Sequence, residues 1–256
     1  MTIIALLQAR CSSSRLPGKV LKPLLGQPMI LRQIERLRRV RRIDELVVVT
    51  SEESSDDELA GVCHNAGVPV FRGSLNDVLD RFYRAIESKT VDHVVRLTAD
   101  CPLTDPATVD AVIDLYLKGG FDYASNTLPP TYPDGLDAEI FQAEVLRTIW
   151  REASQPSERE HVTSFIYKHP ERFRLGNLTN DRDLSSLRWT VDTPADFLFA
   201  EAVYEALYAE NPAFDYADVL ALLARSPELQ LLNTEQARNA GYLASLSQDA
   251  LTTPKG

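Results

Sequence analysis

Four short runs of aliphatic residues punctuate the first hundred positions: Ile3 to Leu7, Leu46 to Val49, Val68 to Phe71 and Val94 to Leu97. Between them lie segments with helical spacing of apolar residues. Met29, Ile30, Ile34 and Leu37 share one face, and Val78, Leu79, Phe82, Tyr83 and Ile86 share another. Strand-length Val/Ile runs alternating with amphipathic helices admit few architectures. The pattern predicts an α/β fold with a mostly parallel central sheet covered by helices on both faces. Asp105-Pro106 opens a further helix with an acidic cap and a first-turn proline. After Gly119-Gly120 the rhythm loosens: irregular strands over 121–142, helices near 142–154 and 158–168, and a strand pair near 173–177 and 187–191. Helices near 195–209 and 215–225 close the pattern, and a polar tail from 238 to 256 reads as mobile.

Bulk properties narrow the class. A net charge of −10 argues against nucleic-acid binding. Cys11, Cys63 and Cys101 make no CxxC pair and no zinc pattern, so reduced thiols in a cytoplasm are expected. The apolar start stops at Gln8 and Arg10, too short for a leader or a membrane span.

Ligands of parallel sheets bind beyond the strands' carboxyl ends. Directly after the first strand stands Gln8-Ala9-Arg10-Cys11-Ser12-Ser13-Ser14-Arg15-Leu16-Pro17-Gly18-Lys19. Hydroxyls, backbone N–H groups and fixed cations in one loop suit a polyphosphate. Walker A and GxGxxG patterns are absent. The plain alternative is a solvated basic loop.

The stretch AR-x4-RLPGK-x6-GQPMI, from Ala9 to Ile30, resembles the sugar-activating cytidylyltransferases, which include the CMP-Kdo and CMP-sialic acid synthetases. The match is nearest to the spore coat polysaccharide biosynthesis protein F family and extends over roughly residues 1–210. The resemblance implies a fold like that of nucleotide-diphospho-sugar transferases, related to the Rossmann type. It implies one nucleotidyltransferase domain over 1–237, with a small inserted sugar- or dimer-side lobe near 121–187, and a homodimer. It also implies CTP as co-substrate, Mg2+ as cofactor, an acidic or phosphorylated sugar as acceptor, and neither nucleic acid nor membrane as partner. Arg10, Arg15 and Lys19 would bind the CTP phosphates with Ser14 nearby, and Leu7, Gln8 and Ala9 would seat the cytosine.

Two aspartates follow strand-like runs. Asp100 comes after Arg96-Leu97-Thr98-Ala99, and Asp192 stands in Val191-Asp192-Thr193-Pro194, which resembles the family's second metal motif. Together they would hold the magnesium ion. Each also fits a simpler role, Asp100 capping a turn and Asp192 or Thr193 capping a helix. Asp196 reads as an exposed first-turn acid. In the resembling family the region of Arg72, Ser74, Asn76, Asp77, Asp80 and Arg81 lies by the nucleobase and ribose. A helix start explains the same residues equally directly. Asp134, Asp137 and Glu139 in a PDGLD-x-E stretch, together with Arg96, Arg159, Glu160 and His161, are the candidates for the sugar side. A turn with solvated acids, or a charged helix face against a partner subunit, fits them too.

Two rival readings remain at this level. Asp181-Arg182-Asp183 matches the DxD metal motif of GT-A-like glycosyltransferases, but lies late in a polar stretch. A non-catalytic nucleotide-binding protein of a polysaccharide pathway would keep the same loop. The glycine-rich opening of UTP- and dTTP-using relatives is missing, which favours CTP.

Overall fold

The computed structural model describes residues 1–234 together with Arg238, Tyr242, Leu243, Ser245, Leu246 and Asp249. In chain order it contains β1 (Ile3–Gln8), a small pair β2 (Pro23–Leu24) and β3 (Gln27–Pro28), α1 (Met29–Leu37), β4 (Glu45–Ser51), α2 (Asp57–Asn65), β5 (Val70–Gly73), α3 (Val78–Ile86), β6 (His93–Thr98) and α4 (Pro106–Gly119). There follow β7 (Tyr123–Ser125), β8 (Glu139–Gln142), α5 (Ala143–Glu152), α6 (Pro156–Glu160), α7 (Ser164–Lys168), β9 (Leu175–Asn177), α8 (Pro194–Leu207) and α9 (Tyr216–Arg225).

Seven strands form one sheet in the order β5-β4-β1-β6-β8-β7-β9. The four aliphatic runs of the first hundred residues make its parallel half, with β1 between β4 and β6. β1 is apolar at successive positions because both its faces are covered. Ile3, Ala5 and Leu7 pack into one core cluster, Ile4 and Leu6 into another. β8 runs antiparallel to β6 and to β7, and β9 lies parallel to β7. Three strands from the 121–187 stretch therefore extend the same sheet.

The helical faces expected at 29–37 and 78–86 are buried, except that Tyr83 turns outward to stack on Trp150 at 4.0 Å between ring centroids. Asp105 caps α4, accepting from the Thr108 N–H at 2.8 Å. The helix expected over 158–168 is instead two short ones, broken where Val162 takes a φ of 38°.

The late chain departs from two expectations. Residues 187–191 form no strand: the backbone N–H of Trp189 donates to the Asp134 carbonyl and that of Val191 to the Asp100 carbonyl, both in loops. Only an isolated bridge joins Asp134 and Arg188. Asp196 is wholly buried rather than exposed. It accepts from Arg188 Nε at 2.9 Å, from the Asp192 and Thr193 N–H groups at 2.9 Å each, and from the Thr193 hydroxyl. Burial pushes its pKa up, but the Arg188 and backbone hydrogen bonds outweigh that and hold it below the usual carboxylate range.

Trp189, Val191, Phe199 and Tyr204 pack in a third cluster with Leu16 and Leu24 of the first loop region and with Leu103. The late chain is thereby fixed beside the strand ends. Replacing Asp196 by alanine would remove the buried carboxylate that holds both Nε and Nη2 of the Arg188 guanidinium, leaving it only the partly exposed Asp134 and Asp192. Urea unfolding of Asp196→Ala should show a loss of about 3–5 kcal/mol. A loss below about 1 kcal/mol, typical of exposed pairs, would mean that the pair does not organise this corner.

Candidate active site

The first loop leaves β1 at Gln8 and is tied down at three points. The Ala9 N–H donates to the Val49 carbonyl at 3.1 Å, the Cys11 N–H to Asp56 Oδ1 at 2.7 Å, and the Gly18 N–H to the Cys11 carbonyl at 2.9 Å. Gly18 has a φ of 66°, the left-handed region glycine tolerates best, and this turn sends Lys19 back under the loop. The Cys11 thiol is pushed up to about 12 by burial and then by Asp56, so it is an inert anchor. The loop borders a hollow of about 510 Å³, lined by Gln8, Ala9, Arg10, Ser14, Arg15 and Lys19 on one side and by Thr98, Asp100 and Asp192 on the other.

At its floor the Lys19 ammonium meets Asp100 Oδ2 at 3.1 Å, Asp192 Oδ1 at 2.9 Å and the Val191 carbonyl at 2.8 Å. Burial alone would lower the Lys19 pKa, but Asp100 and Asp192 outweigh it and hold it above its ordinary value. Burial likewise pushes Asp100 up, yet Lys19 together with Thr98 and Cys101 brings it down to about 2. Asp192 Oδ2 is also 3.0 Å from Arg15 Nη2 and accepts from Arg188 Nη2 at 2.9 Å. Asp100 and Asp192, drawn from chain segments far apart, thus converge on one cation position. Their hard oxygen donors suit a magnesium-type ion. Among the described residues no group of three or more His, Cys, Asp or Glu is placed to hold a metal. The pair would need phosphate and water oxygens to complete a shell.

A second hollow, of about 350 Å³, adjoins the first. Arg96, Asp134, Asp137, Glu139 and His161 line it, while Glu160 lines the first hollow, 3.9 Å from Arg10. Arg15, Thr98, Asp100 and Asp192 line both. Glu139 pairs with Arg96 and accepts from the hydroxyls of Tyr123 at 2.7 Å and Thr163 at 2.6 Å. Burial pushes its pKa up, but Arg96 and the two hydroxyls bring it below its usual value. Asp137 is raised to about 7, first by burial and then by Asp134, against the pull of Arg238. Burial also raises Asp134 and lowers His161 to about 4, leaving a neutral imidazole at neutral pH. Gly135, between the two aspartates, has a φ of 113°. A Cβ there would lie 2.6 Å from the Thr190 nitrogen, so the close crossing of the two segments demands glycine.

Other candidates lie elsewhere. Leu7 is buried in the sheet and lines neither hollow. Arg72, Ser74, Asn76 and Asp80 border a third, more open hollow. Arg72 donates to the Ser51 carbonyl at 2.8 Å, Ser74 accepts from the Asp77 N–H at 3.0 Å, and Asp80 accepts from the Trp150 indole at 2.7 Å. Asp77 caps α3 and pairs with Arg159, while Arg81 is buried against the Ser74 carbonyl. Asp181 and Asp183 are exposed and line none of these hollows. Arg188, which joins Asp192, Asp134 and Asp196, is a site residue that sequence pattern alone does not single out. Its one signal is a cation four residues before Asp192, across Trp189-Thr190-Val191.

The geometry agrees with what the chain is similar to. It is 35% identical over 233 residues to the spore coat polysaccharide biosynthesis protein SpsF of Bacillus subtilis (strain 168), covering 88% of this chain and 95% of that one. A cytidylyltransferase structure from Leptospira borgpetersenii serovar Hardjo-bovis superposes with a TM-score of 0.86 at 32% identity, covering 93% of this chain and 98% of that one. A CMP:2-keto-3-deoxy-manno-octonic acid synthetase complexed with CTP shares the fold, with a TM-score of 0.63 at 18% identity over 80% of this chain and 99% of that one. The family description "Cytidylyltransferase" matches residues 4–220, from the first strand to within α9. On that span of agreement the chain belongs to the cytidylyltransferase family and is an enzyme of that class.

Proposed function

We propose that the protein transfers CMP from CTP to an acidic sugar of the ulosonic acid type, or to a phosphorylated sugar, in the synthesis of a surface polysaccharide. One observation carries this reading: the phosphate-type loop hollow and the acid-lined hollow share Asp100, Asp192 and Arg15 as their common wall. A nucleotide on one side and an acceptor on the other would meet at that acid pair. The names of similar proteins, a spore coat polysaccharide biosynthesis protein and a CMP:2-keto-3-deoxy-manno-octonic acid synthetase, support the same reading. The proposal takes residues 1–237 as one nucleotidyltransferase unit and includes a cytoplasmic homodimer, as the resemblance implies.

In the reaction an acceptor oxygen attacks the α-phosphorus of CTP, the bond to the β-phosphate breaks, and pyrophosphate leaves. Arg10, Ser14 and Arg15 would bind the triphosphate, with Arg15 and Lys19 neutralising the leaving β- and γ-phosphates. Asp100 and Asp192 would hold a divalent ion, magnesium in this proposal, which when bound supplies charge at the α-phosphate and lowers the pKa of the acceptor hydroxyl. Lys19 fills the point between these carboxylates. Its ammonium must therefore swing onto the phosphates for the pair to take a metal. Asp134, Asp137 and Glu139 would orient sugar hydroxyls or an amine. Arg96 and Arg188 are already engaged by Glu139, Asp134 and Asp196, so the hollow offers little unspent positive charge. That favours an acceptor with a single negative charge over a dianionic sugar phosphate.

Pyrophosphate release, screened with four nucleotides against ulosonic acids and sugar phosphates, tests the reading. CTP with an acid sugar should give the highest turnover. Release of a nucleoside diphosphate instead would indicate a glycosyltransferase, and binding without turnover a nucleotide sensor. Arg15→Ala or Lys19→Ala should lower turnover by about 10²–10³-fold with the fold retained by circular dichroism. Near-wild-type release from both would remove the loop from phosphate binding. Mn2+ titration followed by electron paramagnetic resonance should show protein-bound metal only with CTP present, and Asp100→Asn should abolish it. Undiminished metal binding in that variant would remove Asp100 from the metal pair.

A further inference from the structure

The family match ends at residue 220, yet described residues well beyond it reach both hollows. Tyr242 lines the acceptor-side hollow and meets His161 and Tyr167 edge-on, at 5.1 and 5.9 Å between ring centroids. Ser245 lines the nucleotide-side hollow, 2.9 Å from His161 Nε2, and donates to Glu160 Oε2 at 2.7 Å. Asp249 accepts from the Ser157 N–H at 2.9 Å and lies 3.6 Å from Lys168 Nζ. Arg238 donates to the Tyr132 carbonyl at 3.1 Å and to Asp137 Oδ1 at 2.5 Å, and lies 4.0 Å from Asp134 Oδ1.

These contacts have an energetic logic. Asp134 and Asp137 share the acceptor-side hollow, and carboxylates this close repel each other. Arg188 pairs with Asp134, whereas the cation paired with Asp137 is Arg238. Without Arg238, Asp137 would be a half-buried acid deprived of the ion pair seen here, and would protonate or turn towards solvent. A tyrosine ring offers a flat apolar face with a hydroxyl at its tip. Beside three carboxylates, that combination suits a polyhydroxylated ring, whose C–H face can lie on the phenol while its hydroxyls donate to the acids.

We propose that Tyr242 binds the acceptor sugar directly and that Arg238 is a positioning residue holding Asp134 and Asp137 in their sugar-receiving pose. Acceptor choice is then set partly by residues beyond position 220, where the family description stops matching. This rests on reading the second hollow as the acceptor site.

The test is steady-state pyrophosphate release by the full chain, with CTP and the acid-sugar panel above, for wild type, Tyr242→Ala, Tyr242→Phe, Arg238→Ala and Arg238→Lys. Tyr242→Ala and Arg238→Ala should each raise the acceptor KM about 10-fold, the loss of roughly one good contact. The KM for CTP should move by less than about twofold, a few tenths of a kcal/mol. Tyr242→Phe should stay close to wild type, and Arg238→Lys should recover part of the loss. An unmoved acceptor KM in both alanine variants, or a matching rise in the KM for CTP, would overturn the proposal while leaving the proposed function standing. A wild type that releases no pyrophosphate with any acceptor sinks both.

Discussion

The site depends on one buried ammonium. Lys19 ties together three stretches of chain that meet nowhere else in sequence: the loop after β1, the turn after β6 and the segment leading into α8. Bringing the lysine under cover is costly, and Asp100, Asp192 and the Val191 carbonyl repay that cost only because all three point at it. Around this knot Arg15, Lys19, Arg188 and Arg238 face Asp100, Asp134, Asp192 and Asp196. The charges are matched, so moving the lysine away leaves the acid pair short of a cation. That is the condition in which a divalent ion would be welcome once a polyphosphate claims the lysine.

Sheet topology delivers the parts. β1 and β6 are paired in register to Gln8 and Thr98, so the first loop and Asp100 emerge side by side. β8 runs the other way, and its first residue, Glu139, stands opposite Arg96. An antiparallel strand therefore begins where its parallel neighbour ends. One edge of the sheet gathers the outgoing ends of early strands and the incoming end of a later one.

Much of this was legible in sequence because it is local. The aliphatic runs report doubly covered strands, and their ends predict which residues face the crevice. The cationic loop and Asp100 follow from that rule directly. What was not legible depends on partners distant in sequence. Asp196 looks the same whether its carboxylate caps an exposed helix or closes over a buried arginine, and only the position of Arg188 decides. Leu187 to Val191 alternates like a strand, yet its backbone bonds go to single loop residues, Asp134 and Asp100, rather than to a ladder. Asp77 caps α3, as the helix start read from sequence allowed, but its pairing with Arg159 and the bond of Asp80 to Trp150 are contacts no local pattern announces.

The partition between the two hollows has an evolutionary corollary. Under the proposed function, its nucleotide side is assembled mostly from the amino-terminal strands and the loop after β1, its acceptor side largely from Thr127 onward. Substitutions in that later portion can retune what is received while the activating half stays untouched. A lineage could thus diversify its glycans by drifting one wall of a chamber and conserving the other.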